Sequence, residues 1–146
     1  MKKLFTLFVF CFCLLSVNAQ NSSWNDEVQM FLEGFNEEAN EMESEFTSMG
    51  LDAKVTSTYI EAKKQINIDI RFQETIWNLF NDSLMKEAKA GMIQGYQESY
   101  RTDPDFAKFV DEMKANHSSF LVSYSTLKDG KVLTKDFTIT PEEIIN

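Results

Sequence analysis

Cysteine occurs only twice in the 146 residues, at Cys11 and Cys13. Both fall inside a leader-like segment, so the chain beyond it has no thiol nucleophile, no thiolate metal site and no disulfide framework. Histidine occurs once, at His117. One His without Cys excludes the usual zinc ligand sets, and Asn116-His117-Ser118-Ser119 does not resemble the surroundings of a nucleophilic serine. No segment has the spacing of an EF-hand loop, and no Gly-rich phosphate loop is present. Gly91-Met92-Ile93-Gln94-Gly95 sits inside a helical pattern and reads as packing. Cationic side chains are few: 14 Lys and Arg against 23 Asp and Glu, for a net charge of −9. Such a balance argues against nucleic acid and anionic lipid surfaces, which need a cationic face. No cofactor and no metal are expected from these absences.

What is present begins with a secretory signal. Lys2 and Lys3 precede an apolar run from Leu4 to Leu15, and Val17-Asn18-Ala19 offers a cleavage site before Gln20. The run is too short for the ~20 residues that span a bilayer. Neither cysteine follows the small residues of a lipoprotein signal. Cleavage leaves residues 20–146, a 127-residue chain of charge −11 with no stable membrane insertion. That length suits a single domain stabilised by its own core.

The spacing of Trp24, Val28, Phe31, Leu32, Phe35, Ala39, Met42, Phe46 and Met49 predicts a helix over 23–49 with one buried side. Ser23 with Asp26 forms its cap, and Gly50 ends it. Residues 54–72 alternate with period two around Glu61-Ala62-Lys63-Lys64, predicting a hairpin. Pairing Glu61 with Lys64 sets Tyr59 against Ile66, Ser57 against Ile68 and Val55 against Ile70. A helix over about 82–100 follows, with Leu84, Met85, Ala88, Met92 and Tyr96 inward. Gly91, Gly95 and Ser99 form a small-residue stripe beside them. Asp103-Pro104 starts the next helix, whose Phe106, Phe109, Val110 and Met113 face inward. Residues 119–140 form a second hairpin about Asp129-Gly130, with Phe120 against Ile139, Val122 against Phe137 and Thr126 against Leu133. Thr140-Pro141-Glu142-Glu143 starts a last helical turn. The expected fold is α+β in the order α-β-β-α-α-β-β: one four-stranded antiparallel sheet from two hairpins, with its helices on one face.

Two surfaces could carry function. Residues 20–53 contain nine acids and no Lys or Arg, whereas residues 54–146 carry only −2. Glu33, Glu37, Glu41 and Glu45 form an i, i+4 column on that helix. Such a column is a solvated face, a docking face for a cationic protein or envelope component, or a weak divalent-ion surface. The polar strand rows offer the second surface: Thr56, Thr58, Asn67, Asp69, Arg71, Ser123, Ser125, Thr134 and Asp136. Solvent exposure is the ordinary fate of an open sheet face, and binding is the alternative. A non-catalytic binding domain is the expected function. A small hydrolase using carboxylates such as Asp69 and Asp136 is the alternative. The motifs Asn21-Ser22-Ser23, Asn81-Asp82-Ser83 and Asn116-His117-Ser118 fit N-glycosylation, and Asp82-Ser83-Leu84 is similar to a short O-glycosylation motif of Bacteroidetes.

Asp103-Pro104-Asp105-Phe106-Ala107-Lys108-Phe109, the Asp129-Gly130 hairpin and the Val-Asn-Ala-Gln cleavage region carry a resemblance. The chain resembles small exported or lipoprotein-type domains of unknown function from gut Bacteroidetes. That resemblance implies a periplasmic or surface domain and supplies no catalytic motif.

Overall fold

The computed structural model describes residues 23–146; the expected leader and cleavage site lie outside the described residues. Helix α1 runs Trp24–Ser48. Ser23 accepts from the Asp26 N–H, and the Asp26 carboxylate accepts from the Ser23 N–H, closing the capping box. At the other end Leu51 N–H donates to Phe46 C=O at 2.8 Å and Gly50 N–H to Thr47 C=O at 3.0 Å. Gly50 sits at φ 77, the left-handed conformation this pair of bonds requires.

Strand β1 (Ala53–Ile60) and strand β2 (Gln65–Phe72) follow, then a 3₁₀ segment at Glu74–Leu79 that no periodicity announced. Helix α2 (Asp82–Thr102) is capped by Asn81. Helix α3 (Pro104–Ala115) is capped by Asp103, whose carboxylate accepts from the Asp105 and Phe106 N–H groups. Strands β3 (Ser119–Lys128) and β4 (Lys131–Ile139) and helix α4 (Pro141–Ile145) complete the chain. Asp129 and Gly130 both have positive φ, as a type I′ turn demands.

The strands form one sheet in the order β1-β2-β3-β4. Within each hairpin the register is the expected one: Val55 pairs with Ile70, Tyr59 with Ile66, Phe120 with Ile139 and Val122 with Phe137. Between the hairpins the expectation fails. Strands β2 and β3 run parallel, with Ile66 beside Phe120 and Phe72 beside Thr126, so the sheet is mixed and not purely antiparallel. The reason is the connection. Residues 73–118 carry the chain along α2 and back through α3, delivering Ser119 to the end where β2 began; Ser119 N–H donates to Lys64 C=O at 3.1 Å. A return through helices restarts the strand in its earlier direction, which a two-residue turn cannot do.

One apolar core joins the helices to one face of the sheet. Val28, Phe31 and Phe35 of α1, Met92 and Tyr96 of α2, and Phe106, Phe109 and Met113 of α3 are buried in it. Beneath them lie Ile66, Ile68, Ile70, Phe120, Val122 and Tyr124 of the two central strands. Phe31 and Phe109 stack at 4.6 Å between ring centres. Gly91, Gly95 and Ser99 are buried on α2, as a stripe for close approach should be. Leu84, Met85 and Ala88 are only partly covered, because that half of α2 overhangs the sheet edge.

Candidate functional site

The α1 periodicity that buries Val28, Phe35 and Met42 forces the intervening positions outward. Glu33, Glu37, Glu41 and Glu45 are all exposed there, in one column of about three helical turns. Not every acid of the segment joins them. Glu27 is 3 % exposed, and its Oε1 lies 3.2 Å from Lys108 Nζ on α3. Glu43 turns toward the sheet, where its Oε2 meets Lys54 Nζ at 2.8 Å and its Oε1 accepts the Val55 N–H at 2.8 Å. Two of the nine acids are thus matched by cations from later in the chain. The sequence count could not show this, because the matching lysines lie outside residues 20–53.

Glu38 is the residue that sequence reasoning missed. It is half-buried beside the acidic column, and burial together with the charge of Glu41 pushes its carboxyl up to about 7. The signal was present only as one Glu outside the i, i+4 spacing. On the opposite flank Glu43 behaves in the reverse sense. Its burial acts to raise the carboxyl, but hydrogen bonds from Lys54 and Val55 and the Lys54 charge outweigh this and hold it below its ordinary value.

The polar strand face is an ordered grid. The pairings place Thr56, Asp69, Ser123 and Asp136 in one row across the four strands, and Lys54, Arg71, Ser125 and Thr134 in the next. Asp69 and Asp136 are two strand spacings apart, about 10 Å. Asp69 accepts from Ser125 Oγ at 3.3 Å and lies 3.9 Å from Arg71 Nη2. Asp136 instead helps line a shallow groove of about 390 Å³ at the β4 edge, with Met85, Lys86, Lys89, Lys135 and Phe137. The two carboxylates share a row, and the groove at the β4 edge includes Asp136 and not Asp69.

His117 follows α3 at φ 54 and is exposed. Its N–H donates to Lys114 C=O at 3.1 Å, and the Ser118 N–H to Met113 C=O at 2.8 Å. It occupies the helix-ending position usually given to Gly, which accounts for a polar residue there. Among the described residues no group of His, Cys, Asp and Glu side chains is placed to hold a metal ion. No helix among them is long and apolar enough to cross a membrane. No family model matches the chain, and no curated protein and no solved structure matches it.

Proposed function

We propose that this chain is an exported, non-catalytic binding or accessory domain of the bacterial cell envelope, docking a cationic protein or envelope component on the outer face of α1. The observation that carries the reading is Glu38. Burial, together with the charge of Glu41 in the column, pushes the Glu38 carboxyl up to about 7 and so holds a proton there near neutral pH. A cation seated there would let Glu38 ionise. Docking should therefore release a proton, tighten as pH rises through 7, and weaken with salt.

The test is fluorescence anisotropy with labelled oligolysine as the probe. Changing Glu33, Glu37, Glu41 and Glu45 to Gln should abolish most binding at low salt. Changing Glu61, Glu87, Glu98 and Glu142 to Gln should not, although it removes equal charge. Equal loss in the two variants, or none in either, overturns the docking face. Export is tested separately by mass spectrometry of the secreted and periplasmic fractions. An N-terminus at Gln20 supports it, and intact chain in the membrane pellet contradicts it.

A further inference from the structure

The two outer strands of the sheet are treated differently. At β1 the helix α1 covers the edge: Glu43 takes the Val55 N–H, and Ser57 Oγ donates to Asn36 at 2.9 Å. Strand β4 is the other outer strand, and among the described residues only β3 bonds its backbone. Helix α2 projects past this open edge. Its Leu84, Met85 and Ala88 are only partly covered, and Asp82, Met85, Lys86 and Lys89 flank residues 135–137 of β4 across the groove of about 390 Å³. Toward the turn, the apolar Val132 is 54 % exposed. An open strand edge of this kind is a template for another extended chain.

The mixed charge of the groove points to a second copy, because a two-fold interface must complement itself. Lys89 is matched by Glu143 at 2.8 Å, and Lys135 donates to the Phe80 carbonyl. Asp82, Asp136 and Lys86 form no ion pair among the described residues, and neither does Lys131 beside the turn. Acids and cations therefore stand in balance along one edge. A two-fold axis through that edge sets side chains of the same face opposite one another, so it passes through a single residue of β4. Centres at Leu133, Lys135 and Asp136 oppose like charges. Centres at Val132, Phe137 and Thr138 oppose none, but within the strand they pair only residues 131–133, 135–139 and 137–139. The Phe137 centre also drives the two α2 flanks, each standing over residues 135–137, against each other. A centre at Thr134 pairs residues 131–137 throughout, with Val132 against Asp136, Leu133 against Lys135 and Lys131 against Phe137. Each α2 flank then stands over residues 131–133 of the other copy.

We propose that the protein forms a two-fold dimer by antiparallel pairing of β4 about Thr134, joining two four-stranded sheets into one. Val132 gains cover in this arrangement. Leu133 comes under the Met85 flank of the other copy, and Lys131 enters the groove that Asp82 lines. The dimer stands independently of the α1 docking face, which flanks β1 and stays exposed.

Sedimentation velocity of the purified protein, from micromolar to millimolar concentration, should show monomer passing to dimer. Amide hydrogen exchange at residues 131–137 should slow as the dimer forms. Thr134→Lys, at an exposed side chain, sets two cations together on the axis and should raise the dimerisation midpoint about tenfold. Thr134→Cys should cross-link the copies under mild oxidation, because opposed Cα atoms of an antiparallel pair lie within disulfide reach. Asp136→Cys, opposed by Val132, should cross-link no more than wild type. A protein that stays monomeric overturns the proposal, as does dimerisation that leaves β4 exchange unchanged. A dimer indifferent to Thr134→Lys, or equal cross-linking from positions 134 and 136, overturns it too.

Discussion

The Glu43 carboxylate joins the helix to the sheet: Oε1 accepts the Val55 backbone N–H at 2.8 Å while Oε2 holds Lys54 Nζ at 2.8 Å. One side chain of α1 thereby fills a backbone donor of an outer strand. Glu43→Ala should cost about 1 kcal/mol at pH 7, measured by urea unfolding. The Glu43 carboxyl sits below its unfolded value, so its contribution is present above that value and is lost as pH falls through the folded one. The difference between wild type and Glu43→Ala should therefore shrink in acid.

Glu38 should show the opposite dependence. Its carboxyl is raised from 4.5 to about 7, so its protonated form favours the folded state below 4.5, and that advantage is lost as pH rises through 7. Glu38→Gln keeps the neutral shape. The unfolding midpoint should rise above wild type at pH 8 and match it at pH 4. Thermal melts at the two pH values check this.

The pair Glu27–Lys108 ties α1 to α3 through a carboxylate whose side chain is 4 % exposed. Lys108→Ala should destabilise by about 2 kcal/mol, less than the loss of a wholly buried pair because Lys108 remains partly in solvent. A double-mutant cycle with Glu27→Gln isolates the coupling. A coupling near zero would show the pair to be incidental.

His117 holds a left-handed conformation at φ 54 that a side chain other than Gly resists. His117→Gly should raise stability by up to about 1 kcal/mol, read from the urea midpoint. The helix end was visible in the sequence only as a polar cluster, because nothing but the backbone angle separates a cap from a loop.

Gly95 makes the converse case. It is buried on α2, where Ala would improve helix propensity by ~1 kcal/mol. Gly95→Leu should nevertheless destabilise by about 1–3 kcal/mol, since a larger side chain must push the neighbouring elements apart. Chemical denaturation of both variants separates propensity from crowding.

These residues also show what the sequence could and could not say. Both hairpin registers were legible because Asp129-Gly130 and Glu61 to Lys64 fix each pairing locally, and the Ile66, Ile68 and Ile70 alternation then fixes the faces. The Ser23–Asp26 cap was legible for the same local reason. The parallel pairing of β2 with β3 was not, because it depends on where two helices set the chain down, and no residue of either strand encodes that. Glu33, Glu37, Glu41 and Glu45 could be placed outward by period alone. Glu38 and Glu43 could not, because what surrounds them comes from another part of the fold. The β4 groove was hidden likewise, since α2 and β4 approach only in three dimensions.

The parallel seam also orders events during synthesis. Ile66 of β2 waits for Phe120 of β3, which a ribosome adds 54 residues later. Until then the first hairpin has an apolar face and an unfinished side, and sticks readily to other nascent chains. Truncated chains ending before Ser119 should aggregate, although they contain a complete hairpin and three complete helices. A holdase, or prompt completion of the last segment, would be what keeps the young chain in solution.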